Sequence, residues 1–97
     1  MDIQRLRNLT THKLHTKMVH IYQDIETLVG IPGVMTHQIP NAMRALDPWL
    51  RSKLADDRFF NGEYDPSHVG EYEIAPMTES EREAFSDAFL ARPSLLR

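Results

Sequence analysis

The sequence predicts a mainly α fold, a small single-domain bundle of three to four helices with a loop or short β segment near 56–77. Three observations carry that prediction. Apolar residues recur at helical spacing in two stretches, at Leu14, Met18, Ile21, Ile25 and Leu28 and again at Met43, Leu46, Leu50 and Leu54. A helix-start signature, Thr78-Glu79-Ser80-Glu81, precedes a third apolar face of Phe85, Ala88 and Phe89. The 97 residues, 41% apolar and 26% charged, have the length and balance of one globular domain, here read as residues 1–97.

The first main helix is assigned to 12–29. Val19, Tyr22 and Val29 widen its stripe into a core-facing surface, Gly30 is a stop, and Pro32 bars continuation. Ahead of it, Asp2 is placed to cap a short leading turn carrying Ile3 and Leu6. A break is expected near Asn8–Thr11, where helix propensity is low, with Thr10 or Thr11 capping the main helix. The second helical stretch is 37–55, capped by Thr36, with Pro40 in its first turn. Asp47-Pro48 also reads as a cap followed by Pro at the first helical position, which would divide the stretch into 37–46 and 48–55. The last helix is 79–91, stopped by Pro93, with a short tail after it.

Residues 56–77 differ in character. Asn61-Gly62 and Asp65-Pro66-Ser67 are turn signals. Glu71-Tyr72-Glu73-Ile74 alternates as an edge strand does, with 59–64 or a second subunit as its partner. Phe59, Phe60, Tyr64 and Tyr72 are dense enough to pin the segment onto the helices.

Charge divides by position. Residues 1–55 hold seven Lys/Arg against four Asp/Glu, a net of +3, and residues 56–87 hold ten acids against two Arg, a net of −8. Such a split is able to place opposite potentials on two faces and steer a charged partner. The candidate partner-binding residues are Asp56, Asp57, Glu63, Tyr64, Asp65, Glu71, Tyr72 and Glu73. Carboxylates interleaved with tyrosines suit a Lys/Arg groove that otherwise holds nucleic acid. The plain alternative is solvated acid at loop tips.

Other chemistry finds little support. With no cysteine there is no disulfide scaffold, thiol nucleophile or cysteine zinc set. His12 and His15 share a helical spacing, but His20, His37 and His68 do not complete a ligand set, and no metal or cofactor is expected. Ser67, His68 and Asp65 name the members of a triad, yet near-adjacent residues rarely converge as one. No nucleophile elbow or phosphate loop occurs, and no enzyme activity is expected. The opening MDIQRLRNLT lacks the apolar run of a signal peptide, and no stretch is long enough to span a membrane. A reducing, cytoplasmic setting is expected. Arg5, Arg7, Lys13 and Lys17 are the cations a DNA-binding reading would use. Trp49 is read as a core anchor, with a partner hot spot as the minority reading.

Three segments, QRLRNLTTHKLHTKMVHIYQDIETLVG, MTHQIPNAMRALDPWL and RFFNGEYDPSHVGEYEIAPMTESERE, resemble a family of short uncharacterised proteins encoded by phages and prophages. That resemblance implies a bacterial host cytoplasm and a mobile element, and it carries no functional residues across. By analogy of context and size, it points to a non-enzymatic protein that binds and inhibits a host protein complex, as inhibitors of CRISPR complexes do. The alternatives are a small DNA-binding regulator using the basic half and a phage structural or assembly protein, with a homodimer compatible with each.

Overall fold

The computed structural model describes residues 1–31 and 33–90. Its first helix, α1 (Ile3–Thr11), opens on Asp2, whose carboxylate accepts the Arg5 N–H at 3.1 Å. The expected short turn is therefore a nine-residue helix. It ends where His12 takes a left-handed φ of 59°. The predicted break thus falls later, at residues 12–17, and α2 (Met18–Val29) is shorter than the assigned 12–29.

Asn8 explains the shift. It is buried inside α1, and its Oδ1 accepts the backbone N–H groups of His15 (2.7 Å) and Thr16 (3.1 Å) while its Nδ2 donates to the Thr16 hydroxyl (2.6 Å). One carboxamide satisfies the loop backbone in place of a helical ladder. Leu14 consequently lies outside any helix. It is 58% exposed, and Met18, at the first position of α2, is 42% exposed, so both leave the core the spacing assigned them.

α2 stops at Gly30 as predicted, in the left-handed conformation at φ 82°, its N–H donating to the Glu26 carbonyl at 2.8 Å. Pro32 lies outside the described residues. A 3₁₀ turn, Thr36–Gln38, leads into α3 (Ile39–Lys53). Thr36 opens that turn and does not cap α3; its hydroxyl meets the Tyr22 hydroxyl at 2.6 Å. Pro48 does not divide α3, which is one helix of 15 residues. The Asp47 carboxylate binds Arg51 at 2.8 Å instead of capping. Ile39, Met43, Leu46, Trp49 and Leu50 are buried on one continuous face, and that packing outweighs the single backbone bond Pro48 removes.

α4 (Glu79–Leu90) begins with the predicted capping box. The Glu81 N–H donates to the Thr78 hydroxyl at 3.2 Å, and the Thr78 N–H donates to the Glu81 carboxylate at 2.9 Å. Thr78→Ala is expected to cost about 1 kcal/mol, read as a lower melting temperature with the fold retained. Residue 91, Pro93 and the tail 94–97 lie outside the described residues. α4 packs on α3 through buried Phe85 and half-buried Phe89, whose rings stack at 5.7 Å. Asn41 and Arg44 also donate to the carbonyls of Phe89 and Ala88.

Leu6 and Leu9 of α1 join Ile21, Ile25 and Leu28 of α2, the buried face of α3, Leu54, Phe59, Met77 and Phe85 in one apolar cluster. Trp49 sits in this core. The described residues contain no strand; Glu71 makes a single antiparallel bridge with Asp2. The 56–77 region holds a 3₁₀ turn, Asp57–Phe60, capped by Asp56, and otherwise runs without regular structure. No helix among the described residues is long and apolar enough to cross a membrane.

Candidate functional site

The segment after Phe59 runs back along α1, antiparallel to it, as a strap. Thr10 donates its hydroxyl to the Phe59 carbonyl. One turn earlier, Arg7 Nη2 donates to the carbonyls of Asn61 (2.8 Å) and Glu63 (2.5 Å). Gln4 Nε2 donates to those of Asp65 (3.1 Å) and His68 (2.8 Å). The Ile3 N–H then meets the Gly70 carbonyl, and the Tyr72 N–H meets the Met1 carbonyl, each at 2.9 Å. Positions 3, 4, 7 and 10 form one stripe of α1, and that stripe is committed to holding the strap. Arg7 is 0% exposed, and its Nε and Nη1 have no partner among the described residues.

His68 anchors the strap from its own side. It is 3% exposed, packs edge-on to Phe59 at 4.6 Å, and lies 3.5 Å from the Asp56 carboxylate. Burial pushes its pKa below the ordinary imidazole value, and the nearby Arg58 adds to that. Tyr72 also packs edge-on to Phe59, at 5.2 Å.

The eight predicted residues divide into two groups. Asp56, Asp65, Glu71 and Tyr72 have intramolecular work. Hydrogen bonds from Arg58 lower the Asp56 pKa, and hydrogen bonds from Ser67 lower that of Asp65. Glu71 pairs with the α-amino group at 3.1 Å, and the Tyr72 hydroxyl donates to the Lys53 carbonyl at 3.2 Å. Asp57, Glu63, Tyr64 and Glu73 are exposed, and their side chains make no hydrogen bond or ion pair among the described residues. Tyr64 is 71% exposed and Val69, further along the strap, 58%.

The two charged halves do not form opposed faces. The strap lies on the basic half, and the Lys13 side chain rests against Gly62. Lys53 pairs with Glu81 at 2.9 Å, and Arg5 is held at 2.6 Å by Asp24 of its own half. Of the four cations a DNA-binding reading would use, buried Arg7 cannot reach a phosphate and Arg5 is already paired with Asp24, which leaves Lys13 and Lys17. Ser67 donates to Asp65 at 2.6 Å while His68 is buried under Asp56, so these three residues do not form a triad. Sequence reading missed Gln4, Arg7, Asn8, Thr10 and His68 as anchors. For the four in α1 the one signal was polar residues along a helix, which equally describes a wet surface; His68 gave none.

Acid should destabilise the protein in two steps, the first at the strap and the second at the start of α4. His68 has a depressed folded pKa, so the unfolded chain takes up its proton first; stability is full above about 6.5 and falls as pH drops below it. Glu81, held down to about 2 chiefly by the Thr78 backbone bond and Lys53, contributes stability above its ordinary 4.5 that is lost toward pH 2. Burial, with Arg7 and Lys13 nearby, lowers the His15 pKa as well, so both histidines feed the upper step. Melting temperature against pH should show both steps, and His68→Phe should shrink the upper one, leaving the part that His15 supplies. An upper step of unchanged size in His68→Phe would assign it to His15 alone.

The fold and site together define a helical domain that fastens an acidic loop across its first helix. Residues 1–59, more than half the chain, match the family described as Domain of unknown function (DUF7736), and the chain belongs to that family. The match covers α1 to α3 and stops before the strap, so six of the eight candidate residues lie beyond it. No curated protein and no solved structure matches the chain.

Proposed function

We propose that this protein is a non-enzymatic binding module that docks its acidic strap onto a basic surface of a protein partner. One observation carries the reading. A long segment without regular structure is fastened at its backbone by buried and half-buried polar side chains, while Asp57, Glu63, Tyr64 and Glu73 are exposed, with no side-chain partner among the described residues. Long structureless loops in small domains are uncommon, and a scaffold that holds one still suits recognition. Spaced carboxylates beside an exposed tyrosine and valine suit a Lys/Arg-lined groove, with the aromatic as anchor and the acids as steering charge. In its most specific form, the partner is a nucleic-acid-handling host complex that the strap inhibits from within a bacterial cell.

A photo-crosslinking residue at Tyr64, with the same residue at exposed α4 position Glu83 as control, tests this in living bacteria. A discrete adduct from position 64 alone is expected, lost when Asp57, Glu63 and Glu73 are changed to Lys. Asp65 and Glu71 are left untouched because they hold the strap. Adducts that survive charge reversal would overturn the reading. So would duplex DNA binding near physiological salt that depends on Lys13 and Lys17.

A further inference from the structure

The last part of the strap has an open edge. Exposure alternates with a period of two, with Glu71, Glu73 and Ala75 outward and Tyr72 and Ile74 half-buried, which is the signature of an extended chain. The Gly70 and Tyr72 backbone groups face residues 1–3, through Ile3 N–H to Gly70 carbonyl and the reciprocal pair between Tyr72 and Met1. In an extended chain, the backbone groups of the intervening odd residues then face the other way. Among the described residues, the N–H groups of Glu71, Glu73 and Ala75 have no hydrogen-bond acceptor.

We infer that this edge takes an added β-strand from the partner, and that the strand carries Lys or Arg at alternate positions. The inference rests on the docking reading above and gives it a binding mode, in which main-chain bonds supply affinity and alternate side chains supply selectivity. Charge selects the occupant. Glu73 is exposed and has no ion pair among the described residues, and Glu71, though paired with the α-amino group at 3.1 Å, keeps 78% of its side chain exposed. A strand with a basic residue opposite Glu73 therefore forms a favourable cross-strand pair, and one opposite Glu71 adds to the charge already there. A second copy laid edge to edge would set these carboxylates against each other. A hollow of about 170 Å³ beside the edge is walled by Glu73, Ala75, Glu81 and Lys53; Lys53 already pairs with Glu81, which leaves Glu73 for an incoming cation.

Ala75→Pro separates backbone pairing from charge. It removes one edge N–H, keeps the charges, and breaks no hydrogen bond among the described residues, because that N–H has no acceptor there, and Pro favours before it the extended conformation that the alternating exposure of 71–75 indicates. An unchanged melting temperature checks this. The probe is a short capped peptide alternating Lys and Val, titrated by calorimetry. Ala75→Pro, and N-methylation of alternate peptide bonds, are each expected to weaken binding about tenfold, and the Glu-for-Lys peptide should not bind. Hydrogen exchange at the amides of Glu73 and Ala75 should slow on binding to the unmodified protein.

Absent binding of the Lys peptide, or binding indifferent to both Ala75→Pro and N-methylation, overturns strand addition. A dimer that Ala75→Pro dissolves gives the edge to a second copy and overturns the basic strand. Strand addition alone falls if crosslinking at Tyr64 stays charge-dependent while Ala75→Pro has no effect. The docking reading falls if crosslinking ignores charge reversal.

Discussion

Ile25→Ala is expected to destabilise the protein by roughly 2–5 kcal/mol, through lost burial and the cavity left behind. Ile25 is fully buried in the apolar cluster to which α1, α2 and α3 all contribute. A domain of this size holds on the order of 5–15 kcal/mol in all, so the melting temperature should fall by on the order of 10–30 °C. Leu14→Ala is the counterpart. It belongs to the same sequence stripe, yet Leu14 is exposed in the loop after α1, and its replacement should change stability by no more than about 0.5 kcal/mol. Thermal melts tracked by circular dichroism decide the contrast. Equal losses in the two variants would restore a continuous helix across 12–29 and contradict the Asn8-held loop.

Arg7→Ala should also be severe, and Arg7→Met should not. Alanine leaves a cavity and two strap carbonyls without their donor, a loss on the order of 3–5 kcal/mol. Methionine fills much of the space and removes a buried cation that has no carboxylate partner among the described residues, so global stability should stay close to that of the unmodified protein. The two variants still share one effect. Without the guanidinium, the Asn61 and Glu63 carbonyls lose their hold on α1, and the amides of 61–65 should exchange faster in both. Hydrogen exchange resolved by segment reads this directly. Unchanged exchange across the strap in Arg7→Met would show that Arg7 does not fasten it.

The contrast between Leu14 and Ile25 shows where periodicity stops informing. Spacing ranks both as core positions, because it presumes one helix through them. A buried carboxamide at Asn8, acting on residues seven and eight places away, ended that presumption. Pro48 shows the opposite case. A local signal for a helix start was overridden by a continuous buried face on α3. The acids of the strap were legible as a group, but their division into anchored and free members was not. Asp65 and Glu73 look alike in sequence; one accepts two bonds from Ser67 and the other makes none among the described residues.

The sequence by itself determined the helical class, the Gly30 stop, the capping box at Thr78 and Glu81, and most of the core on α2, α3 and α4. Each of these depends on residues within a few positions of one another, where backbone geometry and side-chain spacing act directly. Tertiary structure alone decided the course of 61–77, the burial of Arg7 and His68, and the orientation of the open edge at Glu71, Glu73 and Ala75. Those depend on contacts between residues some fifty to seventy positions apart, such as Arg7 with Asn61 and Met1 with Tyr72. No local pattern encodes such contacts, because each becomes favourable only after the helices have packed and removed water from both partners.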